Sequence, residues 1–220
     1  FSYWRFMKQA DSENLSHKNF SISWLVIIIC AVMIGAWLLY SGVGHFADQV
    51  GDYKKHNLIL AHLINQKWPI IEKLTDKNAY ILVYYLAYYL PAGLIGKVFG
   101  FHVANVFQYI FTLIGVFLSI YFVFSLGGHR KLLSVVVIFL LFSGMDVLGG
   151  YILNGQFPPL NEAWSPPFIY QGNTVTFFFS PQQAVPGWLS TLIILWLLKN
   201  KAGQGYLGFV WALTLLWAPW

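Results

Sequence analysis

The sequence predicts an all-α fold: a polytopic integral membrane helical bundle of about five spanning helices, with two interfacial helices in the first outer loop. Three observations predict it. Hydrophobic residues are 58% of the 220-residue chain and charged residues only 10%, whereas an average soluble domain is about a quarter charged. Mean hydropathy is +0.61. The apolar residues also fall in long runs: 20–42, 101–126, 181–198 and 202–220 contain no Asp, Glu, Lys or Arg, and 132–154 contains only Asp146. Each run approaches the about 20 residues that a span needs.

The elements follow in order. Residues 1–19 are polar and read as a cytoplasmic tail; 20–220 read as a transmembrane domain, and a partial one, since the chain lacks an initial Met and ends within LTLLWAPW. The first run, 20–42, lacks a small-residue cleavage site and reads as a span rather than a signal peptide. It holds the single cysteine, Cys30, so no disulfide framework exists. The sequons at Asn14 and Asn19 precede this span on the side read as cytoplasmic and are discounted.

Net charge is +5, but the basic residues sit in loops beside the apolar runs. They read as orientation signals, with no nucleic-acid patch. Arg5, Lys8 and Lys18, then Arg130 and Lys131, then Lys199 and Lys201 all fall on one side only if 80–100 does not cross. That segment, YILVYYLAYYLPAGLIGKVFG, carries five tyrosines, which favour the interface, and Pro91, Gly93 and Gly96 weaken a straight helix. It is therefore expected as an interfacial helix on the outer surface. Residues 53–68 give a second one, with Leu60, Leu63, Ile64 and Trp68 on one face and the Trp68–Pro69 pair at its end. The outer loops then run over 43–100 and 154–181. The spans are 20–42, 102–126, 132–153, 182–198 and a fifth starting near 205.

The acids locate candidate chemistry. Of eight, Asp11 and Glu13 lie in the tail; Asp48, Asp52, Glu72, Asp76, Asp146 and Glu162 fall on or near the outer side. Asp146 is expected about 7 Å outward of its span's centre. A charge at that depth costs about 2–3 kcal/mol and calls for a polar cavity or a partner. Asp52 lies just before the helix expected from 53, and Lys54, Lys55 and His56 follow at that helix's N-terminal end. Free N–H groups and the helix dipole there suit an anionic phosphate. Two readings of Asp52 stay open: a catalytic carboxylate beside a lipid-phosphate site, or a helix N-cap. In the second outer loop Glu162, Gln171, Asn173, Gln182 and Gln183 are hydrogen-bonding residues of the kind that bind sugars. An ordinary water-facing loop is the plainer reading, with Trp164 as an interface anchor.

The string GDYKKHNLIL (51–60), with WPI at 68–70, resembles the first outer loop of polytopic glycosyltransferases of the GT-C superfamily. YYLAYYLPAGLIGKVFG (84–100) resembles the second half of that loop in bacterial relatives. SGMDVLGG (143–150) resembles a second acidic position near the outer end of a later span. QGNTVTFFFSPQQAVPGWL (171–189) is similar to a stretch of uncharacterised bacterial membrane proteins of this kind. The resemblance covers roughly 45–190. The chain departs from it where the Asp-X-Asp metal motif of oligosaccharyltransferases would stand, since Asp48 and Asp52 are four apart, and where protein mannosyltransferases carry HPP or KPP it has NAY (78–80).

The resemblance implies a bacterial plasma-membrane enzyme that transfers a sugar from a polyprenyl-phosphate donor in one inverting displacement, and the positions of Lys and Arg put its N-terminus in the cytoplasm. Its partners would be that lipid-linked sugar donor and membrane lipids, and no nucleic acid. Asp52 would be the general base, with Asp146 as the second acid. Lys54, Lys55 and helix N–H groups would hold the phosphate, with His56 as a further phosphate ligand or an interface residue. The scheme requires no cofactor; a divalent cation is compatible with it but not indicated. Two other classes compete: a polytopic transporter or lipid flippase, which should show paired broken helices and repeat symmetry, and a catalytically silent membrane scaffold.

Overall fold

The computed structural model describes residues 23–49, 51–75, 78–127, 131–142, 146–155, 172–201 and 204–217. They are mostly helical. Helix α1 is Trp24–Tyr40, α2 is Tyr53–Asn65, α3 is Leu90–Phe99 and α4 is Phe101–Leu126. After these come α5 (Leu132–Leu141), α6 (Asp146–Asn154), α7 (Asn173–Phe179), α8 (Pro181–Asn200) and α9 (Leu207–Trp217). Between α2 and α3 two short strands, β1 (Ile71–Thr75) and β2 (Asn78–Ile81), pair antiparallel with Ile71 opposite Ile81.

Helix α4 is the axis of the molecule; α1, α3, α5 and α8 all pack against it. Its lateral faces are divided. Ala104, Asn105, Gln108, Thr112, Gly115 and Ser119 are buried, whereas Val106, Ile110, Ile114 and Leu118 are exposed. Small residues set the close approaches. A Cβ on Gly115 would lie 2.5 Å from Val185 Cγ1, and one on Gly96 would lie 2.5 Å from Ile64 and 2.9 Å from Ala104. At Gly100 the chain takes φ +87°, a left-handed value that glycine adopts without penalty, and α3 turns directly into α4.

Helices α1 and α4 run antiparallel. The Tyr109 hydroxyl donates to the Gly35 carbonyl (3.2 Å), while Ile27 and Cys30, nearer the start of α1, share a groove with Ile120 and Phe124, nearer the end of α4. The segment 43–100 therefore leaves and re-enters the bundle at the same end. Helices α4 and α8 run parallel: Gly115 meets Val185, and the Lys199 ammonium donates to the Leu126 carbonyl (2.7 Å).

The structure differs from the sequence expectation in four places. Within 80–100 the helix covers only Leu90–Phe99; the tyrosine-rich part before it holds β2 and a short 3-10 turn, Leu86–Tyr88. Aromatic residues suit strands and turns, and Pro91 fits a helix's first turn, so the helix starts there. The expected span 132–153 is two helices, α5 and α6. Phe142 leaves the helix with ψ 122°, and its carbonyl accepts the Asn173 N–H (2.8 Å). The region read as a second outer loop, 154–181, contains α7. Finally, among the described residues one helix, α4, is by itself long and apolar enough to cross a membrane, so the described residues establish one of the about five expected spans. The described part of α1 has 17 residues, α5 has 10, and α8 has 20 but includes Pro186 and two glutamines.

Candidate functional site

The first turn of α2 has two faces. Asp52 occupies the N-cap position but its carboxylate makes no capping hydrogen bond. It lies 3.9 Å from the Lys55 ammonium, and both side chains are about half exposed, at 47% and 50%. Lys54 is also exposed. Lys55 further stands over the Tyr84 ring, 5.5 Å from its centre. This outward face is a charged rim: one acid and two cations at a helix N-terminus, where the helix dipole adds positive potential, although the Lys54 N–H is already bonded to the Gly51 carbonyl (3.3 Å) and the Lys55 N–H to the Asp52 carbonyl (3.0 Å).

The inward face is uncharged and closely bonded. Tyr53, His56, Leu60 and Leu63 recur at helical spacing and are all buried. His56 Nε2 lies 3.0 Å from the Phe179 carbonyl. A carbonyl only accepts, so Nε2 carries the proton, and Nδ1 accepts from the Tyr89 hydroxyl at 2.6 Å. The neutral ring thus joins α2 to the start of α3 and to the α7–α8 junction. Burial pulls the His56 pKa below its ordinary value; the Phe179 carbonyl pulls it up, Lys55 down and Asp52 up, in decreasing order. Burial likewise raises the phenols of Tyr53 and Tyr89 and pushes Tyr88 up to about 12, against hydrogen bonds with Thr112 and Gln108 that favour its ionised form.

A small cavity of ≈ 20 Å³ lies behind this face, lined by Tyr53, His56, Asn57, Tyr88, Asn105 and Gln108 among others. Helix α4 supplies Asn105, Gln108 and Thr112. The Gln108 amide donates to the Tyr88 carbonyl (3.2 Å), and the hydroxyls of Tyr88 and Thr112 are 2.6 Å apart. The Asn57 amide donates to Gln49 Oε1 (2.6 Å), and Gln49 Nε2 donates to the Gly42 carbonyl (2.8 Å). This ties the loop after α1 onto α2.

The remaining sequence candidates are dispersed. The Asn173 amide donates to the Phe139 carbonyl (2.9 Å) and the Thr174 hydroxyl to the Leu140 carbonyl (2.7 Å), so both close the last turn of α5. Gln182 is buried, with its amide on the Tyr84 hydroxyl (3.2 Å), which brings it near Lys55. Gln183 lies in the first turn of α8. Asp146 opens α6; its side chain, and all of Glu162 and Gln171, lie outside the described residues. Asp52, Lys54, Lys55 and His56 are brought together, with His56 turned inward and both ring nitrogens bonded. Among the described residues no three His, Cys, Asp or Glu side chains gather as a metal site.

Sequence reasoning missed the polar groups of α4. Their signal was present: Asn105, Gln108, Thr112 and Ser119 recur at helical spacing inside a run otherwise read only as apolar. No family model, curated protein or solved structure matches the chain.

Proposed function

We propose that the protein is a membrane-embedded glycosyltransferase of GT-C type that takes its sugar from a polyprenyl-phosphate donor at the outer membrane face. The observation that carries this reading is the Asp52 carboxylate. It is half exposed, free of any capping bond and 3.9 Å from Lys55 at the start of α2. A carboxylate in that state can accept the proton of an acceptor hydroxyl. As the acceptor oxygen bonds to the anomeric carbon, the bond from that carbon to the phosphate oxygen breaks. The lipid phosphate leaves as an anion beside Lys54, Lys55 and the positive end of the α2 dipole.

The membrane reading draws on the inverted character of α4. Its amides and hydroxyls face the protein, and Val106, Ile110, Ile114 and Leu118 face outward. Leu25, Ile28 and Val32 of α1 and Ile138 and Leu141 of α5 are likewise exposed. Apolar surface on this scale suits hydrocarbon better than water. In this reading α1, α4, the α5–α6 pair, α8 and α9 are the five spans, and 43–100 stays on one side.

A transporter or lipid flippase is the second reading, favoured by the break at Phe142 and the junction at Ser180, which interrupt two apolar stretches. One experiment separates the two. The full-length protein is assayed for sugar transfer from a polyprenyl-phosphate sugar and, in vesicles, for movement of the same lipid across the bilayer. Transfer lost in Asp52→Asn supports the enzyme; movement without transfer, indifferent to Asp52, supports the transporter.

A further inference from the structure

Two buried polar atoms on the walls of the ≈ 20 Å³ cavity between α2 and α4, the Tyr53 hydroxyl and Gln108 Oε1, have no hydrogen-bond partner among the described residues. Both side chains are at least nine-tenths buried, Tyr53 at 4% exposure and Gln108 at 5%. Native interiors rarely leave such groups unpaired, because each has given up its bonds to water with nothing in return. Their neighbours are partly committed. The Ser41 hydroxyl near Tyr53 donates to the Leu38 carbonyl (2.7 Å) and accepts the Val43 N–H (3.3 Å), which leaves it one lone pair toward the phenol, so Gln108 Oε1 is the more exacting of the two groups. Gln108 Nε2 donates to the Tyr88 carbonyl, and that bond fixes the amide's orientation, since an oxygen could not face a carbonyl.

We propose that this cavity is an internal water-binding site that bridges α2 to α4 through Tyr53 and Gln108. The chemistry selects the ligand. Gln108 Oε1 only accepts, so the ligand must donate, which excludes a simple anion. Among the described residues no carboxylate lines the cavity, so a buried cation would lack a counter-charge there. The volume fits one water, since about 10–15 Å³ of such space is needed for each; a sugar or lipid headgroup is too large. Asn105, buried on the same wall, offers a third hydrogen-bonding group. The site does not depend on the proposed enzymatic activity.

The sign of one substitution tests it. If a water bridges the two groups, Tyr53→Phe removes one of its partners, and the melting temperature of the full chain in detergent should fall by about 2–4 °C. If the hydroxyl has no partner, Tyr53→Phe relieves a buried polar group, and the melting temperature should hold or rise; that result overturns the proposal. Gln108→Met is the second arm. It also removes the bond to Tyr88, so the double mutant decides. A shared water makes the combined loss smaller than the sum of the single losses, whereas strict additivity overturns the bridge. Replacing choline chloride by sodium chloride should leave the wild-type melting temperature unchanged. A sodium-dependent rise lost in Gln108→Met would assign the cavity to a cation instead.

Discussion

The two faces of the first turn of α2 differ although their residues alternate along one short stretch. Outward, Asp52, Lys54 and Lys55 are open to solvent and make one loose ion pair among the described residues. Inward, Tyr53 and His56 are neutral and buried, and His56 makes two hydrogen bonds to residues distant in sequence. The contrast separates chemistry from architecture. A charge held in a buried network would shift or neutralise, whereas one on a rim remains available to a substrate. The inner face fixes where the helix sits, and the outer face inherits that position without being spent on it.

Substitution should split the two faces cleanly. The largest effect is expected on the rim. Asp52→Asn should lower sugar transfer by about 10²–10⁴-fold, with the melting temperature nearly unchanged, because no capping bond is lost. Normal transfer by Asp52→Asn at normal expression would remove Asp52 from the mechanism. The inner face should respond the other way. His56→Leu leaves the Tyr89 hydroxyl and the Phe179 carbonyl unpaired, at about 1–3 kcal/mol each. A thermal or denaturant unfolding curve should record a loss of about 2 kcal/mol or more. A stable His56→Leu protein would mean that the bonds to α3 and the α7–α8 junction contribute little.

The same histidine gives the inner face a pH dependence. Its folded pKa lies below the ordinary value because the ring is buried. The unfolded chain therefore takes up the proton first as pH falls. Stability from His56 is fully present above about pH 6.5, the ordinary histidine value, and is lost as pH falls below it toward the folded pKa. Protonation also makes Nδ1 a donor facing the Tyr89 hydroxyl. Melting temperatures measured from pH 8 to 5.5 should be flat and then fall, and His56→Leu should flatten the acid limb. An unchanged acid limb in that variant would assign the titration to other groups.

Much of the inner architecture was legible as periodicity, but only where the period was apolar. Leu60 and Leu63 marked one face of α2. The same stripe continues back to His56 and Tyr53, where polar residue types disguised it as part of the charged cluster. In α4 the reverse occurred: Asn105, Gln108 and Thr112 were absorbed into a run recognised by its lack of charge. The break at Phe142 was not legible. It depends on Asn173 and Thr174 meeting the end of α5 from more than thirty residues away, a contact that local pattern does not encode. The sequence did place Asp52, Lys54, Lys55 and His56 together, because adjacency along the chain guarantees adjacency in space. Which of them would point inward was settled by packing against Tyr89 and Phe179.

The smallest effect sharpens the contrast furthest. Lys54→Gln and Lys55→Gln together should leave stability almost unchanged, since an exposed ion pair contributes about 0–1 kcal/mol and the Asp52–Lys55 contact is long at 3.9 Å. The stacking of Lys55 over Tyr84 adds little at 5.5 Å in so exposed a position. What the pair should change is affinity for an anionic lipid. Half-exposed cations act through water and are screened by salt over about 10 Å at 0.1 M. The double variant should therefore bind a polyprenyl phosphate more weakly than wild type at low ionic strength, and the difference should narrow as salt rises. Binding of the uncharged prenol should be the same for both proteins at every salt concentration. Equal loss for the phosphate and the alcohol would mean that the lysines shape the apolar surface rather than the field. No loss for either would place the phosphate site away from α2, leaving Asp52 without the neighbours that the proposed displacement needs.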